Sequence, residues 1–217
     1  MDKKLIVIEG LDGSGKNTQT QLLHNAIKDS VIIDYPNYNN RSCELVKMYL
    51  NGEIDEDPFN VNPYLASTFY ACDRAITLND WIDKYNNGNT IIANRYIGSN
   101  IIHQMVKLPK NEWNDFIDWC IDLECNKFKL PYPTKVFFLK VSPKVSEILL
   151  RKRYTVNGVY DESKKDIHEK NIQYLEKCTE SAMYAAYRMH WEVIECSNGL
   201  FTIYTPEEIH NMIMRLL

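Results

Sequence analysis

A glycine-rich segment near the start of the chain has the composition and spacing of a phosphate-binding loop. It reads Gly10-Leu11-Asp12-Gly13-Ser14-Gly15-Lys16 and directly follows an apolar run. The glycines allow the backbone to curl around an anion, so that its N–H groups and the N-terminus of the next helix point at the phosphates. The lysine can bridge the outer two phosphates of a nucleoside triphosphate. Spacing, lysine and flanking elements together favour this interpretation over a plain turn between a strand and a helix.

The position after the lysine departs from this motif. It is Asn17, where the motif has a serine or threonine that binds magnesium, and Thr18 follows one place later. Asn17 can bind Mg²⁺ through its amide oxygen, and a water-mediated arrangement with Asp12 or Glu9 is equally compatible with the sequence. The predicted metal-binding residues are therefore Glu9, Asp12 and Asn17. The predicted ATP-binding residues are Gly10, Gly13, Ser14, Gly15, Lys16, Asn17 and Thr18.

An arginine in the middle of the chain is a candidate for binding a second phosphate. Arg95 follows the predicted strand Thr90-Asn94, and ligands collect at the carboxyl ends of strands in open α/β sheets. Its planar guanidinium matches the paired oxygens of a phosphate. The alternative is an arginine that only pairs with a carboxylate at the sheet edge.

Aromatic residues near the arginines can supply a stacking face for a base. Tyr70 lies four residues before Arg74, so both project from one face of a predicted helix, one to stack and one to hydrogen-bond a base edge. Tyr96 and His103 can add to the same pocket. The alternative is core packing beside a solvated charge.

A third basic cluster, Arg151-Lys152-Arg153, precedes a polar segment that contains a glycine. A loop that closes over ATP can bring such charges to the migrating phosphoryl group while excluding water. Cations are also common at an ordinary solvated helix end, because they favour the C-terminal dipole. Both interpretations remain open for each single residue.

Short apolar runs alternate with longer helix-like segments, which predicts an α/β fold with a parallel sheet of about five strands covered by helices. The predicted strands are Leu5-Glu9, Val31-Asp34, Thr90-Asn94, Lys135-Val141 and Trp191-Cys196. The predicted helices are Lys16-Lys28, Asn62-Tyr85, Lys110-Asn126, Ser142-Arg151 and Asp166-His190, with a last helix that begins at Thr205-Pro206-Glu207-Glu208.

Composition limits the class of protein. The 217 residues, 45% of them hydrophobic, suffice for one substantial core, and we expect a single domain over residues 1–217. The net charge of −4 contains no block of like charge that would indicate a nucleic-acid or membrane partner. No signal peptide is expected at the N-terminus, and six scattered cysteines fit reduced thiols in the cytoplasm.

Taken together, these segments resemble the thymidylate kinase family over nearly the whole chain. The phosphate loop is shared by many proteins, whereas Phe69-Tyr-Ala-Cys-Asp-Arg and Asn94-Arg-Tyr-Ile-Gly-Ser-Asn at this spacing are more specific. Leu130-Pro-Tyr-Pro-Thr and Asp166-Ile-His-Glu add to the resemblance. It implies a P-loop three-layer sandwich with a five-stranded parallel sheet, a short mobile lid at about 151–167, a homodimer, and Mg²⁺ with ATP as phosphoryl donor.

The resemblance also implies roles for single residues. Tyr70 would stack on thymine and Arg74 would bond its edge, while Arg95 would hold the acceptor phosphate with help from Asn100. Asp12 would lie near the sugar hydroxyl and the metal, and His103 would pack against the deoxyribose. The catalytic set would be Lys16, Asp12, Arg95 and Arg153, the last as a lid residue; Tyr96 is added to the substrate-binding set.

Two positions depart from the family pattern, namely Asn94 in place of the usual aspartate and Asn17 in the phosphate loop. The function predicted is Mg²⁺- and ATP-dependent phosphorylation of thymidine monophosphate to the diphosphate. The alternatives are a kinase for another deoxynucleotide or deoxynucleoside, and a nucleotide-binding homologue whose catalysis is weakened by the two asparagines.

Overall fold

The computed structural model describes residues 4–156, 159–161, 165–198 and 202–217. Its strands are β1 (Lys4–Gly10), β2 (Ser30–Asp34), β3 (Thr90–Asn94), β4 (Lys135–Lys140), β5 (Thr155–Val156), β6 (Val159–Tyr160), β7 (Glu192–Glu195), β8 (Ser197–Asn198) and β9 (Thr202–Ile203). Five of them form one parallel sheet in the order β2-β3-β1-β4-β7. This confirms the predicted fold class, and all five predicted strands occur within one or two residues of their expected ends.

Successive side chains of the central strand β1 pack into two different core clusters, one on each face of the sheet. Leu5 and Val7 belong to one core cluster, whereas Ile6 and Ile8 belong to the other. All four are nearly or fully buried, as expected for a strand sandwiched between two helical layers. The carboxyl end of β1 therefore presents the phosphate loop from a strand that is buried on both faces.

The helices are α1 (Lys16–Ala26), α2 (Glu44–Leu50), α3 (Pro63–Ile76), α4 (Ile82–Asn86), α5 (Ile97–Gln104), α6 (Trp113–Ile121), α7 (Pro143–Arg153), α8 (Ile172–Arg188) and α9 (Pro206–Met214). Helices α5, α6 and α8 cover one face of the sheet, and α1 and α9 cover the other. The last helix begins with the predicted capping box, in which Thr205 and Glu208 satisfy each other's backbone N–H groups.

The predicted helix Asn62-Tyr85 is wrong as a continuous element. Helix α3 ends at Ile76 and is followed by a 3₁₀ turn over Thr77–Asp80, and α4 starts afterwards. The hydroxyl of Thr77 donates to the carbonyl of Asp73 at 2.7 Å, a side-chain bond of the kind that competes with helix continuation.

Two other predicted helices have different bounds, and two short helices were not predicted. Helix α6 is preceded by a 3₁₀ turn and continues as a π-helix over Asp122–Lys127. Helix α8 starts six residues later than predicted, after a turn that begins near Asp166. Helices α2 and α5 were not predicted, because seven and eight residues are too few for a clear period.

The predicted lid spans the end of α7 and the β5–β6 pair, and residues 157, 158 and 162–164 of it lie outside the described part. Within the described ranges, no helix is both long and apolar enough to cross a membrane.

Replacing Phe137 tests the packing of the central layer. Its ring is fully buried in β4, so we expect Phe137→Ala to lower the free energy of unfolding by about 3–5 kcal/mol. Urea unfolding followed by circular dichroism measures this. The control Tyr187→Ala, at a side chain that is 86% exposed, should change stability by no more than about 0.5 kcal/mol. Equal effects of both substitutions would contradict the assigned core.

Candidate active site

The phosphate loop joins β1 to α1, as the sequence predicts. Gly13 and Gly15 adopt left-handed backbone angles with φ of 78° and 87°, which L-residues with side chains avoid. A Cβ at Gly13 would also lie 3.1 Å from the backbone oxygen of Ser146. Lys16 lies at the loop's end, where its ammonium donates to the carbonyl of Leu11 at 2.8 Å. The loop thus has the backbone shape that cradles phosphates.

Asp12 connects this loop to the predicted acceptor site. Its carboxylate accepts a short hydrogen bond from Arg95 and lies 3.9 Å from the ammonium of Lys16. Although burial alone would raise the pKa of Asp12, the charges of Arg95 and Lys16 hold it well below its ordinary value. The two predicted phosphate-binding cations therefore share one permanently ionised partner.

The backbone of Arg95 is unusual, with φ at +66° immediately after β3. Such a conformation is unfavourable for a residue with a side chain and persists where surrounding bonds require it. Its N–H donates to the carbonyl of Ile8 at 3.0 Å. Its guanidinium also contacts the carbonyl of Gly10 at 3.2 Å and the hydroxyl of Ser99 at 3.3 Å. This turn directs Arg95 back across the end of β1.

Glu9 is fully buried beneath this cluster. It accepts hydrogen bonds from the N–H of Tyr96 at 2.9 Å and the hydroxyl of Ser99 at 2.6 Å. Burial raises its pKa, against the opposing effects of those bonds and of Arg95. A Cβ at Gly98 would lie only 2.8 Å from Glu9 Oε1, so a glycine is needed for this close approach.

Asn17 and Asn94, the two positions predicted to depart from the expected pattern, contact each other. Asn94 donates from Nδ2 to the Oδ1 of Asn17 at 2.5 Å, and it also hydrogen-bonds Asp34. The Oδ1 of Asn94 is buried and has no hydrogen-bond partner among the described residues. Sequence reasoning missed Asp34, although it ends a predicted strand and pairs with Asn94 in the sheet register. Burial raises the pKa of Asp34.

A cavity of about 480 Å³ connects the loop with the predicted base-binding residues. Among the residues predicted from sequence, it is lined by Asp12, Lys16, Asn17, Tyr70, Arg74, Arg95, Asn100 and His103. The structure thus gathers both predicted phosphate-binding cations and most of the predicted acceptor residues at one place. Asp34, Tyr38, Asp166, His168 and Glu169 also line it and were not predicted. Burial, with the nearby charges of Asp12 and Glu169, raises the pKa of Asp166 to about 7.

Arg74 is held by a buried ion pair. Its Nε and Nη2 donate to Glu124 at 2.5 and 2.7 Å, and both side chains are 1% exposed. Burial opposes the charge of Arg74, but Glu124 raises the pKa of the guanidinium above its ordinary value. Glu124 was not predicted, because it lies 50 residues away in the π-helix that follows α6.

Two predicted substrate contacts are placed differently from the expectation. Asn100 donates to Glu124 at 3.1 Å and so lies with Arg74, whereas Ser99 contacts Arg95. Successive helical residues point about 100° apart, which separates the two. Tyr96 is completely buried; its hydroxyl donates to the carbonyl of Pro131 at 3.1 Å, and its side chain does not line the cavity. We therefore do not retain Tyr96 as a stacking residue.

His103 lies beside Arg95, with its Nε2 3.4 Å from the guanidinium. Burial and the charge of Arg95 lower its pKa to about 3, so the imidazole is neutral.

The side chain of Arg153 lies outside the described part, and its predicted role stays a prediction. In the segment that follows, the hydroxyl of Tyr154 donates to Glu169 at 2.8 Å. No group of three His, Cys, Asp or Glu residues suited to a metal occurs within the described ranges.

The chain is similar to known proteins in both sequence and structure. A family model described as thymidylate kinase matches residues 8–205. A thymidylate kinase of Prochlorococcus marinus (strain MIT 9312) is 30% identical over 210 residues, covering 94% of this chain and 92% of that protein. The thymidylate kinase of Schizosaccharomyces pombe is 25% identical over 224 residues, with 99% and 91% covered. The solved structure of the Candida albicans enzyme superposes with a TM-score of 0.71 at 23% identity, covering 98% of this chain and 90% of that one.

Breaking the buried ion pair between Arg74 and Glu124 tests how much it contributes to the stability of the fold. Glu124→Leu leaves the charge of Arg74 buried without its partner, so we expect a loss of about 3–5 kcal/mol in the free energy of unfolding. The double variant Arg74→Met with Glu124→Leu should recover part of this loss, since no isolated charge remains. Urea unfolding measures both, and Asp122→Asn at an exposed pair is the control that should leave the midpoint unchanged. A double variant less stable than Glu124→Leu would contradict this explanation.

Proposed function

The chain belongs to the thymidylate kinase family, and from that premise we propose that it transfers the γ-phosphoryl group of ATP to thymidine monophosphate. The observation that carries the proposal is the placement of Lys16 and Arg95 on the same carboxylate, that of Asp12. One cation belongs to the loop for ATP, and the other lies in the same cavity. A donor and an acceptor phosphate held there would lie close enough for direct transfer.

The reaction is an in-line attack of an acceptor phosphate oxygen on the γ-phosphorus of ATP. Lys16 stabilises charge on the outer phosphates, and Arg95 holds the acceptor phosphate through its guanidinium. The attacking phosphate is already ionised, so no general base is required. The lid contributes the basic residues Arg151 and Arg153, which approach the migrating group when the lid covers ATP.

Recognition of the base involves the part of the cavity lined by Tyr70, Arg74 and Asn100. Tyr70 stacks on thymine, while Arg74 and Asn100 face its edge. Glu124 orients both polar side chains, because it accepts from Arg74 and from Asn100. Burial raises the pKa of Tyr70 well above its ordinary value, so its ring is uncharged at neutral pH.

Mg²⁺ accompanies ATP in this chemistry, where it neutralises charge that develops on the transferred phosphoryl group. The residues fit such an ion, because Asp12, Asp34 and Asn94 offer oxygen atoms of the kind that Mg²⁺ prefers, and Asn94 Oδ1 is otherwise unsatisfied. Glu9 and Asn17 remain predicted ligands, and their oxygens, like one oxygen of Asp12, already accept hydrogen bonds. We further infer a homodimer in the cytoplasm, as the resemblance implies.

Two alternatives differ in their response to acceptors. A kinase for another deoxynucleotide or deoxynucleoside would prefer a different member of an acceptor panel. A catalytically weakened homologue would bind ATP and thymidine monophosphate without transfer, and Asn94→Asp would then restore turnover. The related Candida albicans enzyme is described as having broad substrate specificity, so the panel includes ribonucleoside and deoxyribonucleoside monophosphates and thymidine.

Arg95→Ala tests the acceptor site. With the guanidinium gone, kcat/KM for thymidine monophosphate should fall roughly 100-fold or more, while the affinity for a non-hydrolysable ATP analogue stays within about threefold. Coupled ATP consumption and calorimetry measure the two quantities. The control is Arg188→Ala, at a surface arginine paired with Asp118, which should change neither. Equal losses in ATP binding and acceptor use would count against the assignment.

Asp34→Asn tests whether the side-chain oxygen atoms at the ends of β2 and β3 bind Mg²⁺. We expect the Mg²⁺ concentration that half-saturates binding of the ATP analogue to rise roughly tenfold, as for other supporting groups around a metal. Titration calorimetry at fixed analogue concentration measures this without turnover. Asp83→Asn, at an exposed aspartate on α4, is the matched control. An unchanged Mg²⁺ requirement in Asp34→Asn would remove Asp34 from the metal site.

A further inference from the structure

We infer that His168 donates a hydrogen bond from Nδ1 to the 3′-hydroxyl of the acceptor nucleotide and thereby helps to select the acceptor. This inference rests on the proposed function and adds to it a residue that determines specificity. It depends on where His168 lies in the cavity and on which of its ring nitrogens carries hydrogen.

His168 lies between the phosphate end and the base end of the cavity. On one side its ring stacks on His103, with centroids 5.3 Å apart and planes 6° apart, and His103 contacts Arg95. Its ring also stacks on Tyr174, with centroids 4.7 Å apart. Edge-on, it lies 5.3 Å from the ring of Tyr49, which in turn lies 6.3 Å from the ring of Tyr70. If Arg95 holds the phosphate and Tyr70 stacks on the base, the sugar lies beside His168.

We infer the tautomer of His168 from a chain of hydrogen bonds through Lys107 and Tyr49. Lys107 donates from Nζ to the hydroxyl oxygen of Tyr49 at 2.9 Å. Burial lowers the pKa of Lys107 to about 7, and an amine retains hydrogens to donate in either protonation state. The hydroxyl oxygen of Tyr49 also lies 2.7 Å from His168 Nε2. Gln104 and Tyr174 also hydrogen-bond this hydroxyl. With its oxygen accepting from Lys107, we infer that Tyr49 directs its single hydrogen to that nitrogen.

The other neighbouring hydroxyl does not compete for this nitrogen. Tyr174 donates its hydrogen to the carbonyl of His103, and its oxygen lies 3.4 Å from His168 Nε2. Burial lowers the pKa of His168 well below its ordinary value, so the ring is neutral and carries one hydrogen. Because Nε2 accepts, that hydrogen is on Nδ1.

The remaining donor suits a sugar hydroxyl. His168 lines the cavity, and the ionised carboxylate of Asp12 lines it as well. A hydroxyl can accept from His168 Nδ1 and donate to Asp12 at the same time, which hydrogen or an azide at that position cannot do. A deoxyribose monophosphate has one free hydroxyl, on its 3′ carbon. The pair therefore distinguishes acceptors with a 3′-hydroxyl from those without one.

His168→Phe tests this inference, because phenylalanine keeps a ring for stacking but removes the donor. We expect kcat/KM for thymidine monophosphate to fall about 10- to 100-fold, as when one hydrogen bond to a substrate hydroxyl is lost. The value for 3′-deoxythymidine monophosphate should change by no more than about threefold. The preference of the native protein for the 3′-hydroxyl would thus largely disappear. Equal losses for both acceptors would overturn the inference and assign His168 a purely structural role.

Tyr49→Phe is the second variant, and it decides the matter if His168→Phe fails to bind the ATP analogue. It removes the hydroxyl that fixes the tautomer while leaving His168 in place. We expect a smaller loss, again confined to the acceptor that has the 3′-hydroxyl. Tyr184→Phe removes a surface hydroxyl bonded to Asn114 and serves as the control without effect. A Tyr49→Phe protein with native preference between the two acceptors would contradict the inferred chain of hydrogen bonds.

Failure of the inference and failure of the proposed function give different results. If the native protein phosphorylates neither acceptor, the proposed function is wrong, and with it the basis of the inference. If the native protein phosphorylates thymidine monophosphate but does not prefer it to its 3′-deoxy analogue, the function stands and the inference is overturned.

Discussion

The carboxylate of Asp12 is the group on which the arrangement of the cavity depends. It lies in the phosphate loop, yet it binds Arg95 from the end of the neighbouring strand and lies close to Lys16. Without a shared anion, two buried cations at this distance would repel each other. With it, both remain charged and point into the same cavity, where phosphates can take over part of the neutralisation. The left-handed backbone of Arg95 is the local distortion that makes this contact possible.

A second, deeper set of contacts holds the cluster in place. Glu9 ties the start of α5 to the end of β1, and Glu124 ties α5 to α3 through Asn100 and Arg74. These bonds are buried, so they restrict the positions of the helices more strongly than surface pairs would. Arg74 and Arg95 are thus both fixed to α5, the first through Glu124 and Asn100 and the second through Ser99. This rigidity is what a site needs if it is to hold two phosphates in line.

The sequence predicts the sheet and the loop well, because both have strong local signals. Buried parallel strands are continuous apolar runs, and the glycine spacing of the phosphate loop is specific. The break after Ile76 and the short helices α2 and α5 lack such signals. The partners Glu124, Asp34 and His168 are distant in the chain, and only folding brings them to Arg74, Asn94 and His103. Conversely, the adjacent residues Ser99 and Asn100 contact different partners, Arg95 and Glu124 respectively.

The most direct test of the account is calorimetric binding of a dinucleotide in which adenosine and thymidine are joined through five phosphates. If Lys16 and Arg95 serve adjacent phosphate sites in one cavity, this compound should bind at one site per chain. It should also bind at least about 100-fold more tightly than the ATP analogue or thymidine monophosphate alone. Binding no tighter than that of either nucleotide would contradict the account, because it would show that the two phosphates are not held together.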